Sequence, residues 1–483
     1  ANMLELLDKL ENEALADLKA ADGSDVLEQC LVFRRYPNAY RSAAPMQAPR
    51  DRFADELLAA HRGAEVEPEP MRAEDTLFLM YTSGTTGKPK GAQHSTGGYL
   101  VWATATSKYV LDLKPGDSYW CMADIGWIPG HSYIVYGPLA LGVSSVLYEG
   151  VPTMPDAARL WRIAETYDIS VFHTSPTAVR ALRKADPELP KRCNMKFRAM
   201  TTVGEPIEPE VWHWYHDVIG HGTAVISDTW WQTETGGHLI TTLPGVHPMK
   251  PGSAGPALPG IYPVIFDEAG KALPAGHEHA GNLCIRNPWP GRMLTIWGDD
   301  ERFVKTYYAR YNRDPESTDW RDWPYLAGDG AIQAEDGYYR ILGRIDDVIN
   351  VAGHRLGTKE LESACLTVDG VSEAAVVAVR DEVKGTLPEA YVSLRPGQTA
   401  TGVAAAVTAR IVEMIGPIAR PRRIWIVDDV PKTRSGKIMR RVLSALSEGR
   451  DTGDVSTLAN PEIVEQIRQQ IAHAAKKFTK KSL

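Results

Sequence analysis

The chain of 483 residues is too long for one small core, and its 43% hydrophobic and 24% charged residues match ordinary globular proteins, which excludes a disordered, collagen-like or repeat-built chain. Against 61 Asp and Glu stand 53 Lys and Arg, a net charge of −8, so the surface as a whole offers nothing to nucleic acid or to an anionic membrane. Five scattered cysteines without a CxxC pair fit neither a disulfide framework nor a zinc site and point to a reducing, cytoplasmic setting.

In chain order, residues 1–75 read as an Ala/Leu/Glu-rich helix, a strand around Cys30–Arg35 and a connector punctuated by Pro45, Pro49, Pro68 and Pro70. Strands are predicted at Thr76–Tyr81, Ser170–His173, Ala199–Val203 and Ala224–Ser227, several followed at once by Gly, Pro or polar turns. The uncharged run Ile125–Tyr148 is long enough to span a bilayer, but Gly126, Pro129, Gly130, Gly137 and Pro138 interrupt it. It therefore reads as a buried loop and strand.

Past a strand at Tyr338–Leu342, the polar turn Gly343–Asp347 marks a shift in composition and a domain boundary. Beyond it follow a short strand (Val348–Val351), a helix (about Thr358–Leu366), strands (Ala374–Val379, Ala390–Leu394), a helix (Val403–Ile415) and a strand (Ile424–Val427). The fold class is α/β: an N-terminal segment 1–75, a core domain 76–343 and a small, mobile α+β lobe 344–483.

The most informative string is Tyr81-Thr82-Ser83-Gly84-Thr85-Thr86-Gly87-Lys88-Pro89-Lys90-Gly91, directly after a strand. Its glycines allow close backbone approach, and its hydroxyls and two lysines suit a polyphosphate. Alone it fits a flexible surface turn better, since short motifs of this kind recur by chance. It is not a Walker A loop, because two residues rather than four separate Gly84 from Gly87-Lys88, and Pro89 replaces the Ser/Thr.

Val203-Gly204-Glu205-Pro206 and Asp228-Thr229-Trp230-Trp231-Gln232-Thr233-Glu234-Thr235-Gly236-Gly237 each follow a predicted strand. Taken with the first string, with Gly328-Asp329-Gly330, Gly343–Asp347, Gly353–Gly357 and Pro431–Lys437, they give a set. From about Glu74 to about Glu465 the chain resembles the adenylate-forming superfamily, in particular the AMP-forming acetyl-CoA synthetases and their short-chain acyl relatives.

The resemblance implies ATP-dependent, Mg²⁺-assisted activation of a short-chain carboxylic acid (acetate, propionate or 3-hydroxypropionate) to acyl-AMP and then acyl-CoA. Thr82, Ser83, Gly84, Thr85, Thr86, Gly87 and Lys88 would hold the terminal phosphates. Gly204, Glu205, Pro206, Asp228, Thr229 and Trp230 would frame the adenine, Thr233 the α-phosphate, Glu234 the Mg²⁺, and Asp329 with Arg344 the ribose. Arg355 would lie near the phosphates. Lys437 would bridge the incoming carboxylate and the α-phosphate, and acylating it would switch adenylation off. Asp346 would be the hinge of the lobe. Ile128, Pro129, Val203 and Trp231 would form the acyl pocket, with CoA contacts at Gly353 and at Ala352, which replaces the family's usual Ser.

The basic cluster Arg420, Arg422, Arg423, Lys432, Arg434, Lys437, Arg440 and Arg441 has almost no aromatic interleaving beyond Trp425, so ATP and CoA phosphates account for it better than nucleic acid. Relatives carry a longer N-terminal region, so the chain is expected to be a fragment or one module of a larger fusion protein. Three readings stay open: a short-chain acyl-CoA synthetase, an adenylation module that hands its acyl group onward, and a truncated nucleotide-binding remnant.

Overall fold

The computed structural model describes the chain apart from residues 1–28, 34–48, 83–89, 151–153, 278–279, 313–316, 318, 346–348, 352–353, 382–384, 396, 434–437, 454, 456–457 and 480–483. It divides into two compact units, Ala1–Met71 and Arg72–Leu483. In the first, β1 (Cys30–Val32) pairs in parallel with β2 (Asp51–Phe53), which leads into the helix Ala54–Ala60. The N-terminal helix expected from composition lies outside the described residues.

The second unit is built around a six-stranded sheet. Four parallel pairings join β6 (Ser144–Val146), β5 (Ser118–Cys121), β7 (Val171–Thr174), β8 (Ala199–Thr202) and β9 (Val225–Trp230), and β10 (Ile240–Thr241) closes the edge antiparallel to β9. β7 and β8 are buried along their whole length, as strands covered on both faces must be. One face packs Trp120, Phe172, Met200 and Ile226 against Trp161 and Trp212. The other packs Tyr119, Val171 and Ala199 against Tyr99 and Tyr133. Burying Phe172 alone contributes about 1.5–3 kcal/mol.

Two smaller sheets flank this one. β3 (Thr76–Thr82) and β4 (Lys90–Ser95) pair antiparallel, with β13 (Thr295–Ile296) on the far side of β4. An antiparallel sheet orders β11 (Pro263–Phe266), β12 (Gly281–Ile285), β14 (Tyr325–Gln333) and β15 (Tyr339–Arg344).

The small lobe follows. β16 (Ile349–Val351) and β17 (His354–Leu356) form a hairpin, and β18 (Val371–Asp381) pairs with β19 (Gly385–Leu394), which also takes β20 (Arg423–Ile426) in parallel. Alternation along β18 sends Ala374 and Val376 to a core with Leu361, Cys365 and Val407. Ala375, Val377 and Val379 face a second core with Trp425, Val442 and Ile467. That second core requires the helices Arg440–Ser447 and Glu462–Thr479, which the sequence reading did not place. The architecture is thus α/β with a small α+β C-terminal lobe.

Two expectations are corrected. Ile125–Tyr148 is largely helical: Ile128–Gly130, wide π-type turns over His131–Tyr136, and Gly137–Ala140 precede β6. Pro129 and Pro138 sit in the first turns of their helices, where a missing N–H costs nothing, so they start helices rather than break one. No helix among the described residues is long and apolar enough to cross a membrane. In addition, Asp228, Thr229 and Trp230 belong to β9 rather than following it.

Candidate active site

The carboxyl ends of parallel strands are where open α/β sheets bind ligands, and the turns after β8 and β9 lie there. Within β9 the buried Asp228 accepts a hydrogen bond from the Thr202 hydroxyl of β8 at 2.7 Å, and the Thr229 hydroxyl donates to the Thr202 carbonyl at 2.6 Å. These bonds let a polar pair sit in a buried strand. Burial pushes the Asp228 carboxyl up to about 7, with the Thr202 hydrogen bond acting in the opposite direction.

After β9 the chain makes a tight turn, Thr233–Thr235, closed by reciprocal Gln232–Thr235 hydrogen bonds of 2.9 Å. Gly236 ends it at φ 70°, and a Cβ there would stand 2.3 Å from the Gly291 carbonyl oxygen. Only glycine satisfies both conditions.

Ahead of the turn, Trp230 at the end of β9 and Gln232 reach the neighbouring sheet. Asp329 on β14 lies opposite Arg344 on β15. Its Oδ2 accepts from Trp230 Nε1 at 3.1 Å and from Gln232 Nε2 at 2.6 Å. Arg344 donates to the Ala327 carbonyl at 3.0 Å and stands 3.7 Å from Asp329 Oδ1. Burial raises the Asp329 pKa, with Arg344 opposing it.

Glu234 accepts from the Tyr307 hydroxyl at 2.6 Å, and Lys90 Nζ donates to that hydroxyl at 2.9 Å. Desolvation lowers the Lys90 pKa, partly offset by Glu234. His94, pushed down to about 4 by burial, is neutral at pH 7, and its Nε2 donates to the Thr233 carbonyl at 2.9 Å. Among the described residues no cluster of three or more His, Cys, Asp or Glu could cage a metal. Glu234 fits a cation that takes one carboxylate and completes its shell from phosphates and water, as Mg²⁺ does.

Ile128, Val203 and Trp231 come together in one apolar cluster with Tyr133. Trp231 is held edge-on to Tyr133 and His238, with ring centroids 5.0 and 5.4 Å away. Pro129 is half-buried beside Ile128 and is not in that cluster. Gly204 takes φ 95°, turning the chain after β8. Glu205 is engaged by Thr177, by Arg180 at 2.7 Å and by Lys359 at 2.8 Å. Pro206 lines a cleft of about 370 Å³ shared with Leu342, Lys359 and Ser363.

Thr82 ends β3 opposite Lys90. Ser83, Gly84, Thr85, Thr86, Gly87, Lys88, Asp346, Ala352, Gly353 and Lys437 lie outside the described residues, as does the side chain of Arg355. Sequence reasoning missed Gln232, Tyr307, His94 and the pairing of Lys90. Gln232 lay inside a quoted string. Tyr307 carried no local signal.

A parallel sheet with a polar cluster at its carboxyl ends, followed in the chain by a small α+β lobe, defines an α/β architecture of two parts. The chain belongs to the AMP-binding enzyme family, whose profile matches residues 6–295 and whose C-terminal domain matches residues 360–437. It is 49% identical over 427 residues to the acetyl-coenzyme A synthetase of Wolinella succinogenes, covering 87% of this chain and 64% of that protein. It is 48% identical over 474 residues to that of Burkholderia lata, covering 96% and 69%. The crystal structure of the anthranilate CoA ligase AuaEII in complex with anthranoyl-AMP superposes with a TM-score of 0.69 at 26% identity, covering 80% of this chain and 70% of that one. The chain thus spans 64% of the Wolinella protein's length, somewhat under two thirds.

Proposed function

We propose that the chain activates a short-chain carboxylic acid with ATP and Mg²⁺ to acyl-AMP and pyrophosphate, then transfers the acyl group to CoA with release of AMP. The observation that supports this most is the polar cluster in which Asp329, Arg344, Gln232 and Glu234 gather at the end of β9. The curated relatives named as acetyl-coenzyme A synthetases support the same reading.

A carboxylate oxygen of the acid attacks the α-phosphorus as the bond to the β-phosphate oxygen breaks, and charge grows on the equatorial oxygens. Asp329, its Oδ2 already fixed by two neutral donors, keeps acceptor capacity for the ribose hydroxyls. Gly204, Glu205, Pro206 and Asp228–Trp230 frame the adenine. Arg344 joins Asp329 at the ribose, Thr82 and the 83–88 loop hold the terminal phosphates with Arg355 nearby, and the Thr233 hydroxyl meets the α-phosphate. Glu234 holds Mg²⁺, which when bound supplies charge neutralisation at the phosphate oxygens. Lys437 bridges acid and α-phosphate, so acylating it removes the first step. Rotation at Asp346 then presents Ala352 and Gly353 to CoA, whose sulfur attacks the acyl carbonyl as AMP leaves.

Ile128, Pro129, Val203 and Trp231 confine the acid to the size of acetate, propionate or 3-hydroxypropionate. One methylene is worth about 1–3 kcal/mol in such a pocket. The five cysteines are all free, in keeping with a cytoplasmic setting. The test is AMP and pyrophosphate formation with each acid, with and without CoA. CoA-dependent turnover supports the reading, and a single turnover of pyrophosphate that CoA leaves unchanged would favour an adenylation module. No acid-dependent pyrophosphate at all overturns the reading.

A further inference from the structure

The turn after β8 and the helix Thr358–Leu366 of the lobe meet through charge. On the large-domain side the buried Arg180 faces two carboxylates, Glu205 at 2.7 Å and Glu208 at 2.9 Å. On the lobe side Glu362, 1% exposed, faces two cations, Arg440 at 2.7 Å and Lys359 at 3.2 Å. Lys359 joins the two sides, donating to Glu205 Oε2 at 2.8 Å with its side chain 12% exposed. Glu373 of the lobe, paired with Lys432 at 2.6 Å, adds a further attraction to Arg180. Burial alone would raise the Glu205 pKa, but Arg180 and Lys359 outweigh it and hold the carboxyl well below the usual range.

We propose that Lys359 is a positioning residue that latches the lobe onto the adenine-side turn in the orientation that serves acyl transfer to CoA. The inference rests on the activity proposed above. The helix Thr358–Leu366 follows β17 in the chain, and Ala352 and Gly353, the residues proposed to meet CoA, precede that strand, so the helix that docks on Glu205 belongs to the same stretch of the lobe. Holding this face in place favours the second half-reaction at the expense of the first.

Loss of Lys359 leaves Glu205 on Arg180 and Thr177, and Glu362 on Arg440, so both sides keep partners. In the full chain, Lys359→Met is expected to raise acid-dependent pyrophosphate exchange roughly threefold or more and to slow acyl transfer from pre-made acyl-adenylate to CoA by a similar factor. Lys359→Arg should restore wild-type values. General destabilisation would lower exchange, so an unchanged or reduced exchange rate in Lys359→Met, or no rescue by Arg, overturns the latch. A wild-type chain without acid-dependent exchange would instead defeat the proposed activity. In that event hydrogen–deuterium exchange decides the latch: segments 203–209 and 358–366 should lose protection in Lys359→Met, and equal protection overturns it.

Discussion

The polar cluster at the end of β9 and the contact between the lobes both bury carboxylates, yet they satisfy them differently. In the cluster, neutral donors do most of the work: Trp230 and Gln232 hold Asp329, and Tyr307 holds Glu234. At the contact between lobes, Glu205, Glu208 and Glu362 are held by Arg180, Lys359 and Arg440 at 2.7–3.2 Å. A carboxylate fixed by neutral donors keeps its charge for a ligand, whereas one matched by a buried cation has its charge already spent on structure. The difference separates residues for chemistry from residues for posture. Variants in the polar cluster should lose activity and keep stability, while variants at the contact should do the reverse or redistribute the two half-reactions.

The largest effect is expected from the lysine proposed for the first step. Lys437→Ala should lower acid-dependent pyrophosphate exchange by about 10²–10³-fold, while thioester formation from pre-made acyl-adenylate persists. Equal loss in both would remove Lys437 from its assigned role. Next is Glu362→Gln, which removes the buried carboxylate that Lys359 and Arg440 share and should cost about 3–5 kcal/mol of stability, read as a lower denaturant midpoint. Retained stability would break the contrast between the two regions.

Tyr307→Phe removes the donor that fixes Glu234 and the acceptor of Lys90. It should raise the Mg²⁺ requirement about tenfold with the melting temperature held, because a hydrogen bond to a charged group is worth about 1.5–3 kcal/mol. The smallest effect is in pH dependence. The Asp228 pKa rises from 3.8 to about 7 on folding, so its contribution is fully present below about pH 4 and declines as pH rises toward 7. Asp228→Asn should flatten the fall in melting temperature across that window, and an unchanged slope would show that Asp228 does not titrate there.

Much of this division was legible in the sequence. The buried strands announced themselves as short apolar runs, and Asp329 and Arg344, both named from family strings, lie opposite each other on adjacent strands. The end of β9 was not legible, because Asp228 and Thr229 look like a turn until Thr202 supplies their hydrogen bonds. Pro129 and Pro138 misled because the same residue that breaks a helix interior is tolerated in its first turn. The pairs Lys90–Tyr307 and Glu205–Lys359 lie 217 and 154 positions apart, and charged or aromatic residues at such separations give no local pattern. The helices around Val442 and Ile467 were overlooked beside the basic string that precedes them.

The most direct test of the account is a single turnover with MgATP and acetate, propionate or 3-hydroxypropionate in the absence of CoA, followed by mass analysis of the nucleotide products. The account predicts enzyme-bound acyl-AMP with one equivalent of pyrophosphate, discharged as AMP when CoA is added. ADP and phosphate, or a nucleotide pool untouched by all three acids, would contradict it.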